Sequence, residues 1–242
     1  MIAVLYIAHG SRVKKGVEEA KQFLQQTIAQ VDVPIQEISF LELAEPTILQ
    51  GIEKCVARGA KKIAVSPILL LTANHLNQDI PKEIAIAQKQ FPHIEITVGK
   101  AFGIDDRIVE SLYERLQQTN QSFSNSKVLL IGRGSSDLAV QRDLTTIAHC
   151  LKKRANLKQV DTCFLYGAGA SFEETIQALQ KQEQEPIFII PYLLFTGLLK
   201  ASIEKKIAAI QKDNEAIVLC ECLGYDLNVQ RVLIERVYET IA

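Results

Sequence analysis

The sequence predicts an α/β protein made of two tandem domains, each with a four-stranded parallel sheet flanked by helices. Two observations lead to this fold class. Short apolar runs alternate with amphipathic helical stretches along the chain, which is the rhythm of strand–helix–strand units. The second half also repeats the first, since VLYIAHGSRV at residues 4–13 recurs as VLLIGRGSSD at residues 128–137. Such a repeat predicts that one structural template is used twice.

The predicted strands of the first half are continuously apolar and rich in Ile, Val and Leu. Strands with this composition are buried on both faces, as in parallel sheets covered by helices. These strands are Ile2–Ala8, Ile35–Leu41, Lys62–Pro67 and Ile94–Val98.

The stretch EPTILQGIEKCVARGA, between the second and third strands, predicts a helix. Pro46 is expected in its first turn, where the fixed backbone angle of proline suits a helix start. Leu49, Ile52 and Val56 form one apolar stripe, and Gly59 is expected to end the helix.

The repeat extends far beyond the opening pair of motifs, at a shift of 124 residues without gaps until near the end, where the shift becomes 121. Phe40-Leu41 recurs as Phe164-Leu165, and Pro67 recurs as Pro191. The polar stretch QQTNQSFSNS at residues 117–126 predicts a linker. We therefore expect an N-terminal domain at residues 1–118 and a duplicated domain at residues 125–242.

Composition excludes several classes of function. The chain is 48% hydrophobic and 23% charged, with a formal net charge of −1, so no overall positive field attracts nucleic acid or an anionic membrane. The longest apolar run, Ile187–Leu199, contains a proline and a glycine and is too short to span a bilayer. The N-terminal stretch lacks the basic flank of a signal peptide. We expect a cytoplasmic protein without nucleic-acid or membrane partners.

Five cysteines form no repeated CxxC spacing. An odd number of cysteines without that spacing argues against a disulfide scaffold and against a structural zinc site.

Three chemically reactive residues of the first half follow predicted strands. His9 follows the first strand, Glu42 the second, and His75 lies in the loop after the third. The carboxyl ends of parallel strands are where ligands bind in such sheets. Two imidazoles and a carboxylate suit a divalent transition metal, ferrous iron in particular, with open positions left over. The same groups move protons near neutral pH.

The second half provides an internal control for these candidates. At the shift of 124 residues, the three positions are occupied by Arg133, Tyr166 and Leu199. The scaffold residues are kept while all three reactive residues change together, which favours a functional role for the trio. The remaining histidines, His93 and His149, have no such neighbours in the pattern and are assigned no functional role.

The motifs AHGSR, FLELAEPT and PILLLTANHLNQDIP resemble those of the sirohydrochlorin chelatases, which are class II tetrapyrrole chelatases. In the second half, LIGRGSSD and IPYLLFTG look like the C-terminal half of two-domain members. The resemblance implies a chelatase-like fold of two Rossmann-like or flavodoxin-like lobes, with the macrocycle in the cleft between them. It also matches the family's motif histidines to His9 and His75 and its acidic partner to Glu42.

The resemblance implies insertion of Fe²⁺ into sirohydrochlorin to make sirohaem. His9 and His75 are expected to hold the ion, and Glu42 to bind it or to accept pyrrole protons. The metal is then a substrate, and no tightly bound cofactor is expected. The chain has only four histidines and lacks the C-terminal iron–sulfur motif of some long cobaltochelatase relatives. This favours iron, while cobalt insertion for cobalamin, and nickel, stay as alternatives.

Sirohydrochlorin carries several carboxylates, which cations and hydroxyl donors must bind. We expect these contacts to come from Ser11 and Arg12 after the first strand, and from Arg133, Ser135 and Ser136 after its repeat. Arginine suits bidentate carboxylate recognition better than lysine does.

Two other classes of function remain open at this point. A histidine-phosphatase-like hydrolase would also place a His-Gly after its first strand, but Ala8 stands where that motif has arginine. A non-catalytic metal-binding or tetrapyrrole-binding protein is the second alternative. The built-in duplicate removes the need for a homodimer, so we expect a monomer.

Overall fold

The computed structural model describes residues 1–72, 75–124, 126–180, 186–212, 216–224 and 226–242. In chain order its strands are β1 (Ile2–Ala8), β2 (Ile35–Phe40), β3 (Lys62–Pro67), β4 (Glu95–Val98), β5 (Lys127–Gly132), β6 (Gln159–Phe164), β7 (Ile187–Pro191) and β8 (Ile217–Leu219). Its α-helices are α1 (Lys14–Ile28), α2 (Ile48–Ala57), α3 (Ile80–Gln90), α4 (Asp106–Gln117), α5 (Leu138–Ala155), α6 (Phe172–Gln180), α7 (Leu198–Gln211) and α8 (Leu227–Ile241). A short π-helical turn, His75–Asp79, leads directly into α3.

Each half builds its own four-stranded sheet, in the order β2-β1-β3-β4 and then β6-β5-β7-β8. All neighbouring strands in both sheets are parallel. The register also repeats, because Ile7 lies opposite Pro67 and Ile131 lies opposite Pro191. The predicted α/β class with two parallel four-stranded sheets is confirmed. In each sheet all carboxyl ends therefore lie at one edge.

The predicted strands of the first half agree with the structure to within one residue at each end. The second strand was expected to include Leu41, but β2 ends at Phe40. The fourth was expected from Ile94, but β4 begins at Glu95. Leu41 still donates its backbone N–H to the Ala8 carbonyl at 2.8 Å, so main-chain bonding continues one step past the strand.

The start of α2 differs from the prediction for a local reason. Thr47 is the N-cap residue, and its hydroxyl accepts the Gln50 N–H at 3.3 Å. The Gln50 side chain accepts the Thr47 N–H at 2.8 Å, which completes a capping box. Pro46 therefore precedes the helix instead of lying in its first turn. The helix ends at Ala57, just before Gly59 as predicted.

The described chain divides into two compact units. The first comprises Met1–Gly103 together with Gln230–Ala242, and the second comprises Ile104–Val229. Within the first unit, the buried Gln230 side chain accepts a hydrogen bond from Gln30 at 3.0 Å. Most of α8 thus belongs to the first unit, while α4 belongs to the second unit.

The division predicted from the repeat, residues 1–118 and 125–242 with a linker at 117–126, stays a prediction. It follows the duplication along the sequence. The compact units follow packing, which also depends on where the helices after β4 and β8 dock.

Each unit has its own apolar core beside its central strands. In the first unit, Leu5, Ile52 and Val65 are fully buried. In the second, Ile131 and Ile189 are also fully buried. Among the described helices, none combines the length and apolar content needed to cross a bilayer.

Candidate active site

His9 and Glu42 are brought together by their backbones at the carboxyl edge of the first sheet. The Glu42 N–H donates to the His9 carbonyl at 3.1 Å. Between them, Gly10 has a φ of 93°, and a Cβ at this position would lie 1.8 Å from the Glu42 carbonyl oxygen. Only glycine allows this approach, because it lacks the Cβ. The turn after β1 therefore sets the spacing of the two side chains.

His75 reaches the same place from the loop after β3, at the first position of the π-helical turn. Its Nε2 atom lies 3.2 Å from Nε2 of His9. The two rings meet edge to face, with centroids 4.7 Å apart and an interplanar angle of 88°. The structure thus brings together two histidines that are 66 positions apart in sequence.

Glu42 lies beside this pair. Its Oε1 atom is 3.6 Å from Nε2 of His9, and the Glu42 side chain is 46% exposed against 30% for His9. All three predicted side chains therefore meet at one partly open spot on the first sheet. Water and a small ion can reach the carboxylate without any movement of the backbone.

The geometry of the imidazole pair suits a shared ion. Two metal–nitrogen bonds of about 2.1 Å that meet at roughly 100° separate their nitrogen atoms by about 3.2 Å. The His9 and His75 Nε2 atoms lie at that separation. Among the described residues, no group of three His, Cys, Asp or Glu side chains could hold a metal ion. Glu42 as a third ligand stays a prediction.

Asp79 was missed by the sequence reasoning. Its Oδ2 atom lies 2.8 Å from Nδ1 of His75. The available signal was the spacing HLNQD, which places a carboxylate four residues after the histidine. Metal-binding histidines commonly donate the N–H of their second ring nitrogen to a carboxylate, so the spacing was informative.

Two of the predicted substrate-binding hydroxyls take part in local turns. The Ser11 hydroxyl accepts the Val13 N–H at 3.0 Å, and the Ser135 hydroxyl accepts the Asp137 N–H at 3.0 Å. Each serine therefore shapes the start of the helix that follows. A hydroxyl that accepts one bond can still donate its own proton.

The other predicted substrate-binding residues lie on the surface of their units. Arg12 is exposed after β1, and Arg133 and Ser136 are exposed after β5. Contact of these residues and of the two serines with a substrate stays a prediction. His93 and His149 are exposed in the structure.

The sequence matches the CbiX family model twice, over residues 3–119 and 127–240. The chain belongs to the CbiX family. The two matches cover both halves, which agrees with the duplication seen in the sequence and in the two sheets.

Two relatives are similar over nearly the whole chain. The chain is 45% identical to the sirohydrochlorin ferrochelatase of Bacillus subtilis, over 99% of this chain and 92% of the relative. It is 32% identical to a sirohydrochlorin cobaltochelatase of Priestia megaterium, over 99% of this chain and 80% of the relative.

Two solved CbiX-like structures have the same fold. A structure of SirB from Bacillus subtilis with Fe³⁺ is 44% identical, with a TM-score of 0.92 over 100% of this chain and 96% of that one. The sirohydrochlorin chelatase SirB from Bacillus subtilis subspecies spizizenii, in complex with cobalt, is 43% identical, with a TM-score of 0.88 over 99% and 94%. The predicted chelatase-like fold is confirmed.

Proposed function

We propose that this chain is a sirohydrochlorin ferrochelatase, which inserts Fe²⁺ into sirohydrochlorin to make sirohaem. The observation that carries the proposal is the pair of Nε2 atoms, from His9 and His75, 3.2 Å apart. They lie at the carboxyl edge of the first sheet in a chain that is similar from end to end to a ferrochelatase of Bacillus subtilis. The metal is a substrate of this reaction.

In the first step, His9 and His75 take the place of some of the waters around the incoming ion. A closed set of four protein ligands would hold a metal structurally, whereas a site with open positions lets other ligands bind. Two imidazoles leave positions for the nitrogen atoms of the macrocycle. The ion can therefore pass from the protein to the ring by exchange of ligands.

In the second step, protons must leave the pyrrole nitrogens as those nitrogens bind the metal. Glu42 is the carboxylate beside the imidazole pair, with Oε1 at 3.6 Å from Nε2 of His9. We assign to Glu42 the role of proton acceptor. Because its side chain is 46% exposed, the proton can then pass to water.

The carboxylates of the macrocycle need partners as well. Arg12 and Arg133 supply exposed guanidinium groups in the two repeated turns, and a guanidinium can bind a carboxylate through two parallel hydrogen bonds. Ser11, Ser135 and Ser136 add hydroxyl donors. These five residues form the proposed set of substrate contacts.

Iron is the proposed metal because identity to the ferrochelatase exceeds identity to the cobaltochelatase. A match to the CbiX family in both halves sets aside the hydrolase interpretation. A binding protein without turnover would give stoichiometric complexes in place of product. We further propose that the chain acts in the cytoplasm and that it is a monomer. Light scattering on the purified protein would test the monomeric state.

Anaerobic metallation of sirohydrochlorin, followed by absorbance, tests the proposal. Fe²⁺, Co²⁺ and Ni²⁺ are offered in parallel, each with a reaction that lacks protein. We expect many turnovers per protein with Fe²⁺, at a rate above the uncatalysed reaction. Insertion that stops at one equivalent, or that runs no faster than without protein, would contradict it.

A further inference from the structure

We propose that Asp79 is a positioning residue, which fixes His75 in the tautomer whose Nε2 atom offers a lone pair to the metal. The proposal rests on the proposed function of this site. It concerns the contact between Nδ1 of His75 and Oδ2 of Asp79, which lie 2.8 Å apart.

The chemistry of the two groups assigns the proton in that contact. An ionised carboxylate can only accept hydrogen bonds, so Nδ1 of His75 must carry the hydrogen. A neutral imidazole has one N–H and one lone pair. The lone pair of His75 therefore lies on Nε2, which is the atom that faces Nε2 of His9 at 3.2 Å.

The same assignment determines whether Nε2 of His9 donates or accepts in the contact between the two rings. In the hydrogen bond between the two rings, one nitrogen donates and the other accepts. Since Nε2 of His75 accepts, Nε2 of His9 donates when no metal is bound. The lone pair of His75 is thus on the ring atom that an ion shared by the two rings would contact.

Helix capping does not account for the position of Asp79. Asp79 is the N-cap residue of α3, yet its side chain caps no backbone N–H. Its other oxygen, Oδ1, is 3.9 Å from the exposed Lys82 ammonium, a separation at which an ion pair adds little. The contact with His75 is the short, well-formed one.

The π-helical turn explains how the contact is made. His75 and Asp79 are its first and last residues, so the carboxylate, four residues on, reaches the Nδ1 edge of the ring. Single π-helical turns are frequent at functional sites. His75 is more buried than Asp79, with side chains 22% and 43% exposed. The contact with Asp79 is made at Nδ1, which leaves Nε2 for the contact with His9.

The test measures the tautomer of His75 directly, in protein labelled with ¹⁵N at histidine. Two-dimensional ¹H–¹⁵N spectra of the imidazoles are recorded about two units above the ordinary imidazole pKa of about 6.5. His75→Gln identifies the signals by their loss. The variants are Asp79→Asn, Asp79→Ala and Asp79→Glu, with Glu83→Gln as a control that removes an acid one turn further on.

We expect the Nδ1–H tautomer in the unmodified chain, in Asp79→Glu and in Glu83→Gln. In Asp79→Asn and Asp79→Ala the population of the Nε2–H tautomer should increase, because the carboxylate acceptor is gone. The dissociation constant for Co²⁺ alone, measured by titration without tetrapyrrole, should rise by about 10- to 100-fold in these two variants.

A His75 tautomer that is unchanged in both Asp79→Asn and Asp79→Ala would overturn the proposal, and so would a tautomer change that leaves Co²⁺ affinity as it was. The proposed function fails separately, if the unmodified chain does not turn over sirohydrochlorin with Fe²⁺. In that case the dependence of the tautomer on Asp79 would still stand.

Discussion

The turn after β1 and the turn after β5 have the same backbone and different side chains. In the first, the Glu42 N–H donates to the His9 carbonyl at 3.1 Å; in the second, the Tyr166 N–H donates to the Arg133 carbonyl at 3.1 Å. The four residues occupy matching positions of the repeat. Duplication has preserved the hydrogen bonds while replacing the residues to which we assign the chemistry.

Glycine has the same role in both turns. Gly10 and Gly134 have φ values of 93° and 90°. In each case an added Cβ would lie 1.8 Å from a carbonyl oxygen, that of Glu42 or of Tyr166. The close approach is thus a property of the scaffold, since it persists in the half that lacks the histidine pair.

One backbone detail separates the halves. Leu43 has a φ of 60°, in the left-handed region, where its counterpart Gly167 has 81°. A leucine is strained there by about 1–2 kcal/mol, while a glycine is not. Strained residues concentrate at functional sites, and Leu43 directly follows Glu42. The first half therefore keeps strain beside its carboxylate, and the second half has none at this position.

Substituting the two glycines is the strongest way to test the shared scaffold. Gly10→Ala and Gly134→Ala should each lower the free energy of unfolding by about 2–5 kcal/mol, because strain at positive φ and a backbone clash add together. Denaturant unfolding followed by circular dichroism measures the loss. If the free energy of unfolding changed by less than about 0.5 kcal/mol in either variant, the turn would relax easily. That result would contradict the statement that both turns require glycine.

Replacing the carboxylate tests the difference between the halves. Glu42→Gln should lower kcat for sirohydrochlorin metallation by about 100-fold, since a positioned proton acceptor contributes at least that much. Tyr166→Phe, at the matching position of the second half, is the control and should retain kcat. Anaerobic steady-state assays with Fe²⁺ measure both. Equal kcat values for Glu42→Gln and the unmodified chain would remove Glu42 from the mechanism.

Arg133 tests whether the second turn has a binding role of its own. Arg133→Ala should raise KM for sirohydrochlorin by about 10-fold, because a hydrogen bond to a charged group contributes about 1.5–3 kcal/mol. The effect on kcat should be small. Arg142→Ala, an exposed arginine of α5, serves as the control. An unchanged KM in Arg133→Ala would assign carboxylate recognition to other residues.

Buried thiols in both halves should make the free energy of unfolding depend on pH, and this effect is smaller than those above. Burial, with nearby carboxylates, raises the pKa of Cys55 and of Cys163 from 9.0 to about 12. Between these values the unfolded chain releases thiol protons that the folded chain retains, so the free energy of unfolding should fall as pH rises from about 9 toward 12.

Alkylation measures this state of the thiols. At a pH of about 9 the partly exposed Cys150 should react in the folded protein, whereas Cys55 and Cys163 should react only after unfolding. Mass spectrometry of the alkylated peptides identifies each site. Equal alkylation rates for all three in the folded protein would mean that burial does not protect the thiols.

The sequence predicted those parts of the fold and site that are encoded by pattern. Continuous apolar strands and the repeat predicted both sheets, and strand ends predicted that His9, Glu42 and His75 would meet. The spacing in HLNQD indicated the contact of Asp79 with His75, but the π-helical turn that contains both residues has no hydrophobic period to predict a helix there. The predicted start of α2 was wrong, because the Thr47 capping box begins the helix after Pro46. The place of α8 in the first compact unit depends on tertiary contacts, such as that of Gln230 with Gln30, which a local pattern does not contain.

The proposed reaction depends most on His9 and His75 holding the metal together. Binding of Co²⁺ without tetrapyrrole, followed by visible absorption, tests this in the unmodified chain, in the double variant His9→Ala/His75→Ala and in His93→Ala. We predict one tightly bound equivalent in the unmodified chain and in His93→Ala, and an affinity lower by at least about 100-fold in the double variant. A double variant that binds Co²⁺ as tightly as the unmodified chain would contradict the assignment of the site.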